Sequence, residues 1–558
     1  MGKPLKKRPA TWTVTRSGPA IGSYLIDRLE ALGVRHVFGI PGDYVLGFYD
    51  ALEKSRLQIV NTCDEQGAGF AADAYARLRG LGVVCVTYCV GGLKVANATA
   101  EAFAEKSPVV VISGAPGMGE RQNNPLLHHK VREFDTQKRV FEQLTVASTV
   151  LDDPQTALQE IDRVLDAALR HKRPVYIELP RDRLMAPGVP HHTPREFHGA
   201  SDPVTLREAL NEAVAMLNRA RRPVILADVE VHRFGLQKEL VQLVEKSNIP
   251  VAATIMGKSV IGESHPSYLG VYGGAVGREE VRRYIEESDC VLMLGAFMTD
   301  INLGIFTARL DPAHSISATT EKLTIRYHNF EGVRFKDFLR GLLKAPLRHR
   351  AKLRFPRPEP DAPFHATSKK KITIRRLFQR LNAFLRQNTV VISDVGDALF
   401  GAQDLFIHED TEFLGAAYYA SMGFAVPAAI GVQLADAKRR PLVLVGDGAF
   451  QMTGMELTTA VRYRLNPIVV VLNNAGYGTE RHIQDGPYND LVPWNYHLLP
   501  DVLGAGRGFA VETEEQLDQA LLHAEKETEN FSLIDVRLDP MDRSPALHRL
   551  ARNLAKRL

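Results

Sequence analysis

Cysteine is scarce: Cys63, Cys85, Cys89 and Cys290 are the only four in 558 residues. So few, so scattered, exclude a disulfide framework. Cys85 and Cys89 lie close together, but no second pair or histidine group completes a zinc site around them. All four are expected to be buried apolar thiols in a reducing cytoplasm. Long apolar runs are also missing. Pro108-Val109-Val110-Val111-Ile112 is among the longest, and it is far too short to cross a bilayer. Lys3, Lys6, Lys7 and Arg8 are followed by no apolar segment, so this stretch reads as a short solvated arm and not as a signal peptide. Nor does either sign of charge dominate: 69 Lys+Arg against 65 Asp+Glu leave a net +4. That balance gives no reason to expect a nucleic acid or a membrane surface as partner.

What is present is a globular composition. Hydrophobic residues make up 45% and charged residues 24%, which excludes collagen-like and disordered classes. At roughly 150 residues per domain, the length predicts three or four domains. Short β-rich runs alternate with longer helical stretches: Gly82 to Thr87, Val109 to Ser113, Val175 to Leu179, Pro223 to Ala227, Val291 to Gly295, Val390 to Ser393, Leu442 to Val445 and Ile468 to Leu472. Near-continuous apolar strands between amphipathic helices indicate parallel sheets buried on both faces. The fold class is therefore α/β, with doubly wound units. Two proline-rich, aperiodic stretches, about 182–201 and 346–371, read as linkers. They divide the chain into domains at 1–190, 200–345 and 370–558. The first and third share size and pattern, which hints at a duplication.

In the third domain, Leu442 to Val445 runs into Gly446-Asp447-Gly448-Ala449, followed by a helix expected from Phe450 to Arg464. A second strand, Ile468 to Leu472, ends in Asn473-Asn474-Ala475-Gly476. Right-handed crossover places both strand ends on one edge of the sheet, where ligands bind in such folds. Asp447 offers a carboxylate and Asn474 an amide oxygen, which suit a hard cation such as Mg²⁺. Gly446 and Gly448 let the backbone approach an anion closely. Either motif alone is a common turn; both together, on strand ends joined by a helix, are far more specific.

This pairing resembles the signature of the thiamine diphosphate enzymes. The resemblance implies Mg²⁺ ligands at Asp447, Asn474 and the carbonyl of Gly476, with cofactor contacts from Gly448, Ala449, Gly478 and Thr479. A second match lies in the first domain. Glu65, in Asp64-Glu65-Gln66-Gly67-Ala68-Gly69-Phe70-Ala71-Ala72, resembles the glutamate that hydrogen-bonds the cofactor's pyrimidine and drives its activation. Read by itself, Glu65 is a helix-start acid favoured by the helix dipole.

A narrower likeness follows. Leu126-Leu127-His128-His129 resembles the paired histidines of pyruvate and indolepyruvate decarboxylases. Ile40-Pro41-Gly42-Asp43-Tyr44 is similar to the loop carrying their catalytic aspartate, and the segment ending in Tyr477-Gly478-Thr479-Glu480 to the one carrying their catalytic glutamate. Taken singly, Asp43 could cap a turn and the others could be surface charges. Together they imply a proton-handling set of Asp43, His128, His129 and Glu480. Decarboxylation of a 2-oxo acid needs such general acid–base groups near neutrality.

Ser393-Asp394-Val395-Gly396-Asp397-Ala398-Leu399-Phe400 resembles the segment that packs on the cofactor, through Asp397. Met422 takes the place of the large apolar residue that props the cofactor into its bent shape, and Ser421 beside it is a further expected cofactor contact. Leu399 replaces a bulky Trp of some bacterial relatives, and Thr479 a usual Ile. Both changes are expected to enlarge the pocket, and Met422 adds flexibility. The implied reaction is non-oxidative decarboxylation of a large apolar 2-oxo acid such as phenylpyruvate, indolepyruvate or a branched or long-chain acid. Pyruvate decarboxylation proper and an acetolactate-synthase-like carboligation are the alternatives. The resemblance also implies a homodimer or a dimer of dimers.

Overall fold

The computed structural model describes residues 18–194, 199–351, 353–358, 362–409 and 411–554. The basic arm at Lys3 to Arg8 lies outside them. Three sheets form. The first holds β1 (His36–Gly39), β2 (Gln58–Asn61), β3 (Gly82–Val86), β4 (Val109–Ala115), β5 (Ser148–Val150) and β6 (Val175–Pro180). The second holds β7 (Pro223–Ala227), β8 (Val251–Ala253), β9 (Tyr268–Val271), β10 (Cys290–Leu294), β11 (Ser315–Ala318), β12 (Leu323–Ile325) and β13 (His328–Phe330). The third holds β14 (Thr389–Ser393), β15 (Glu412–Gly415), β16 (Arg440–Gly446), β17 (Ile468–Asn473), β18 (Arg507–Val511) and β19 (Ser532–Arg537).

The first sheet runs β2-β1-β3-β4-β6-β5 and the third β15-β14-β16-β17-β19-β18. Every pair in both is parallel. Counted from its own first strand, each follows the same order, so the two units repeat one topology. The middle sheet adds something the sequence pattern did not suggest: β12 and β13 extend it as an antiparallel edge after β11.

The central strands are buried and mostly apolar, β3 and β4 throughout and β16 from Pro441 to Val445. Such β-branched strands suit a sheet covered on both faces. Two of the covering helices meet across the first and third units. One is Glu65–Arg79, the other Ala425–Ala435. A Cβ on Gly431 would come within 1.9 Å of the Ala71 carbonyl oxygen, so only glycine allows this approach. Phe70 and Phe424 meet edge-to-face at 5.8 Å. One continuous core joins the two units, running from Phe38 and Phe70 to Val443 and Val471. The middle unit therefore does not separate them.

The expected linkers are partly structured. Ala186 and Leu184 accept backbone hydrogen bonds from Ile21 and Gly22, which ties that stretch to the chain's first helix. Three cysteines are buried, but Cys63 is exposed, against expectation. It sits at the seam between the two units, where its Sγ donates to the Met455 carbonyl at 3.3 Å. Among the described residues, no helix is long and apolar enough to cross a membrane.

Candidate active site

The ends of β16 and β17 form the floor of a cleft in the third unit. Asp447 begins its helix directly at the end of β16, with no intervening turn. That helix is not the single one expected over 450–464. It runs Asp447–Thr453, tightens to a 3₁₀ turn at Gly454–Glu456, and resumes as Leu457–Tyr463.

Asp447 accepts the N–H of Gly448 at 2.8 Å and of Gly476 at 3.1 Å. Burial pushes its carboxyl up to about 6, and these N–H groups pull it back. Ala475 is a non-glycine residue with φ +56°, so the backbone turns sharply after β17. Arg481 holds that turn by donating to the carbonyls of Asn474 and Ala475, both at 2.9 Å, and to Asp490 at 2.8 Å. The turn has no spare room. A Cβ on Gly476 would lie 2.3 Å from Arg481, and one on Gly448 would lie 2.6 Å from the Tyr477 ring.

Asp447, Gly448, Ala449, Asn474, Gly476, Gly478, Thr479 and Glu480 all line this cleft, joined by Met422 and Asp397. Burial also pushes Asp397 up to about 6, and its two oxygens accept from the backbone N–H and the hydroxyl of Ser544. The donors fit the implied groups. Asp447, the Asn474 amide and the Gly476 carbonyl are hard oxygen donors of the kind Mg²⁺ takes, and the close-packed glycines leave bare backbone of the kind a diphosphate needs.

Two sequence expectations change here. Ser421 does not line the cleft, because its Oγ accepts from Asn97 of the first unit at 2.9 Å. Leu399 is buried in the core of the third unit beside Phe378 and Leu405. Its helix, Asp397–Ala402, turns Ala398 and not Leu399 toward the cleft. Thr479 alone then carries the argument for an enlarged pocket.

A second cluster forms on the first unit. His128 Nε2 lies 2.7 Å from Asp43 Oδ2, and the His128 ring stacks on Tyr44 at 4.9 Å. His129 meets His128 edge-on at 4.8 Å. Its φ of +68° turns the ring back toward its neighbour, and its buried Nδ1 has no hydrogen-bond partner among the described residues. Ligand atoms of Asp43, His128 and His129 lie within 4.8 Å of one another.

Glu65 opens its helix one residue after the cap. Asp64 accepts the N–H groups of Gln66 and Gly67, which fixes the helix start. Lys94 reaches Asp64 at 2.5 Å and Glu65 at 3.5 Å. Among the described residues, none of the first unit lines the cleft of the third. The fold thus brings Asp43, His128 and His129 together, and separately Asp447, Asn474, Gly476 and Glu480. It does not join the two groups within one chain.

Sequence reasoning missed several residues that shape these sites. Ser544 and Arg481 stand outside the motifs. Asp394 lies within a quoted segment, yet its role needed the fold. Buried and pushed up to about 6, it accepts from Gly423 at 3.1 Å and Ala425 at 2.9 Å, and so anchors the loop carrying Met422.

The fold and both clusters define the class, and comparison with known families agrees. Residues 20–139 match the thiamine pyrophosphate enzyme N-terminal TPP binding domain, 210–327 the central domain and 394–536 the C-terminal TPP binding domain. The chain belongs to the thiamine diphosphate enzymes. An alpha-keto-acid decarboxylase of Mycolicibacterium paratuberculosis is 36% identical over 546 residues, covering 96% of each chain. An indole-3-pyruvate decarboxylase of Azospirillum brasilense is 37% identical over 525 residues, covering 92% of this chain and 94% of its own.

Proposed function

We propose that this protein decarboxylates 2-oxo acids bearing a large apolar side chain, releasing the aldehyde and CO₂. The observation that carries the reading is the Asp43–His128–His129 cluster, a set of proton-transfer groups that a carboligase does not need. The names of the two relatives support it.

Bound thiamine diphosphate supplies the electron sink for the bond broken to CO₂. The chain's own residues do the rest. Asp447, Asn474 and the Gly476 carbonyl would hold Mg²⁺, and Glu65 would hydrogen-bond the pyrimidine. Converting a 2-oxo acid anion to aldehyde and CO₂ takes up one proton. Asp43, His128, His129 and Glu480 deliver and shuttle protons as one coupled unit. Thr479 leaves room for an aromatic or branched side chain, and the flexible Met422 adapts to it.

Two copies of the chain are needed, because the first-unit cluster and the third-unit cleft do not meet within one. The working form is then a homodimer or a dimer of dimers, with the first unit of one copy over the third unit of its partner. Four unpaired cysteines suit a cytoplasmic setting. The functional divisions follow the bounds 1–190, 200–345 and 370–558.

The test is aldehyde release, coupled to an alcohol dehydrogenase, across pyruvate, branched 2-oxo acids, phenylpyruvate and indolepyruvate. It is run with and without Mg²⁺ and thiamine diphosphate. The larger acids should give the higher kcat/KM. Pyruvate outrunning every larger acid would overturn the substrate reading. Acetolactate in place of aldehyde would overturn the reaction class.

A further inference from the structure

Glu456 is a carboxylate outside both clusters, 2% exposed, and it grips the other unit. It closes the 3₁₀ turn that follows the Asp447 helix. One oxygen, Oε1, accepts the backbone N–H of Cys63 at 2.8 Å and of Asp64 at 3.1 Å. The other, Oε2, accepts the Thr459 hydroxyl at 2.8 Å. Farther along, the Tyr463 hydroxyl accepts the Asn61 N–H at 2.9 Å and donates to the Ile59 carbonyl at 3.2 Å. The third unit thereby holds the chain at Ile59, Asn61, Cys63 and Asp64, from β2 to the helix cap. The next helix is seated on the same carboxylate: a Cβ on Gly67 would come within 2.4 Å of Glu456 Oε1. Glu65 lies between these anchored points. Among the described residues its own side chain has only Lys94 for an ion-pair partner, at 3.5 Å, so its backbone sets where its carboxyl points.

We propose that Glu456 is a positioning residue for Glu65, fixing the loop 61–67 so that the Glu65 carboxyl meets the cofactor's pyrimidine. This rests on the reading of Glu65 given above. A carboxylate taking three donors is a strong, charge-assisted anchor. Its protonated form must donate one hydrogen, and two of the three groups facing it are N–H donors that cannot receive it. Burial, with the Asp64 carboxylate nearby, raises Glu456 to about 7. The other groups at this junction are the Cys63 thiol, the Tyr463 hydroxyl and the Lys94 ammonium paired with Asp64 at 2.5 Å. The folded carboxyl is ionised above about 7, so the grip is full there and loosens as pH falls through that value.

Amide hydrogen exchange on the cofactor-free protein tests this directly. With intrinsic rates corrected, Glu456→Ala should lose about tenfold or more of the protection at 61–67, while Glu456→Gln, whose amide oxygen still accepts both N–H groups, should keep it. In the loaded enzyme, Glu456→Ala should lower kcat by about 10²-fold with KM and cofactor affinity nearly unchanged. Glu456→Gln should restore most of kcat and remove the fall in kcat below about pH 7. Wild-type protection in Glu456→Ala, or a Gln variant as impaired as the Ala variant, would overturn the proposal. Glu65→Gln, measured in parallel, should stop turnover without altering exchange at 61–67. Turnover surviving there would overturn the reading of Glu65 itself, and with it the purpose given to Glu456.

Discussion

The Asp43 carboxylate and the His128 imidazole meet at 2.7 Å although 85 positions separate them in the chain. The contact sets which groups can pass a proton. With Nε2 engaged by Asp43, His128 Nδ1 faces the Tyr44 hydroxyl at 3.4 Å. Burial and the Asp43 charge push that phenol up, so it stays protonated at neutral pH. Asp43→Asn keeps the shape but removes the carboxylate that engages His128 Nε2. The expected outcome is a fall in kcat of about 10²–10⁴-fold, the usual worth of a general acid–base group. Thiamine diphosphate affinity should be unchanged, because Asp43 belongs to the proton-handling set and not to the Asp447, Asn474 and Gly476 group proposed to hold the cofactor's diphosphate and metal. Single-turnover CO₂ release alongside cofactor titration separates the two effects.

The separation of Glu65 from the Asp447 cleft gives a prediction about assembly. Glu65→Gln and Asp447→Ala should each be inactive alone. In a hybrid of the two, one site combines both defects and the other combines both intact residues. Refolding or co-expressing equal amounts should then restore about a quarter of wild-type activity, since half the dimers are hybrids with one working site each. A mixture as inactive as its components would place both residues in a site within one chain.

Much of the third-unit cleft was legible in the sequence because its parts are local. Asp447 and Asn474 each follow a strand of Val and Leu, and one short helical crossover joins those strands, although its 3₁₀ break at Gly454–Glu456 was not foreseen. The repeated order of the first and third sheets was visible only as a likeness of size and pattern, since strand order is a long-range property. The contact between Asp43 and His128 could not come from spacing at all and rested on family resemblance. Glu456, Ser544 and Asp394 escaped notice for the same physical reason. Each is a buried acid or hydroxyl whose partners lie on distant segments, and nothing local marks it. Leu399 was misread because one residue along a helix changes the direction of a side chain by about 100°, which turned it from cleft to core.

Thr479 lines the cleft, and its Oγ1 lies 3.2 Å from where a Cβ on Gly396 would stand. Restoring the larger Ile should fill the space left for a bulky substrate. Thr479→Ile is expected to lower kcat/KM for phenylpyruvate relative to pyruvate by roughly 10-fold or more, the scale set by methylene-sized changes in apolar pockets. Leu399→Trp, aimed at the core, should instead lower the melting temperature by overpacking. A change in substrate ratio from Leu399→Trp, without loss of stability, would contradict its placement.

The middle unit offers a prediction about stability. Asp228 is fully buried and caps a short helix. It accepts the N–H groups of Val229 at 2.6 Å and Phe297 at 2.7 Å, the Asn302 amide at 3.1 Å and the Thr254 hydroxyl. It thus ties the loop after β10 to the end of β7. Burial raises its carboxyl from 3.8 to about 7, against the pull of these donors. The sign follows from proton binding. Between those two values the folded chain holds a proton that the unfolded chain has released, so this group's contribution to stability falls as pH rises and levels off above about 7. Asp228→Asn should flatten that slope. It should also destabilise the protein by about 1–3 kcal/mol at neutral pH, because an amide group now faces donors that had a carboxylate. Thermal melts from pH 5 to 8 on both proteins, taken at one salt concentration, measure both effects. Parallel pH curves would show that Asp228 does not titrate on folding.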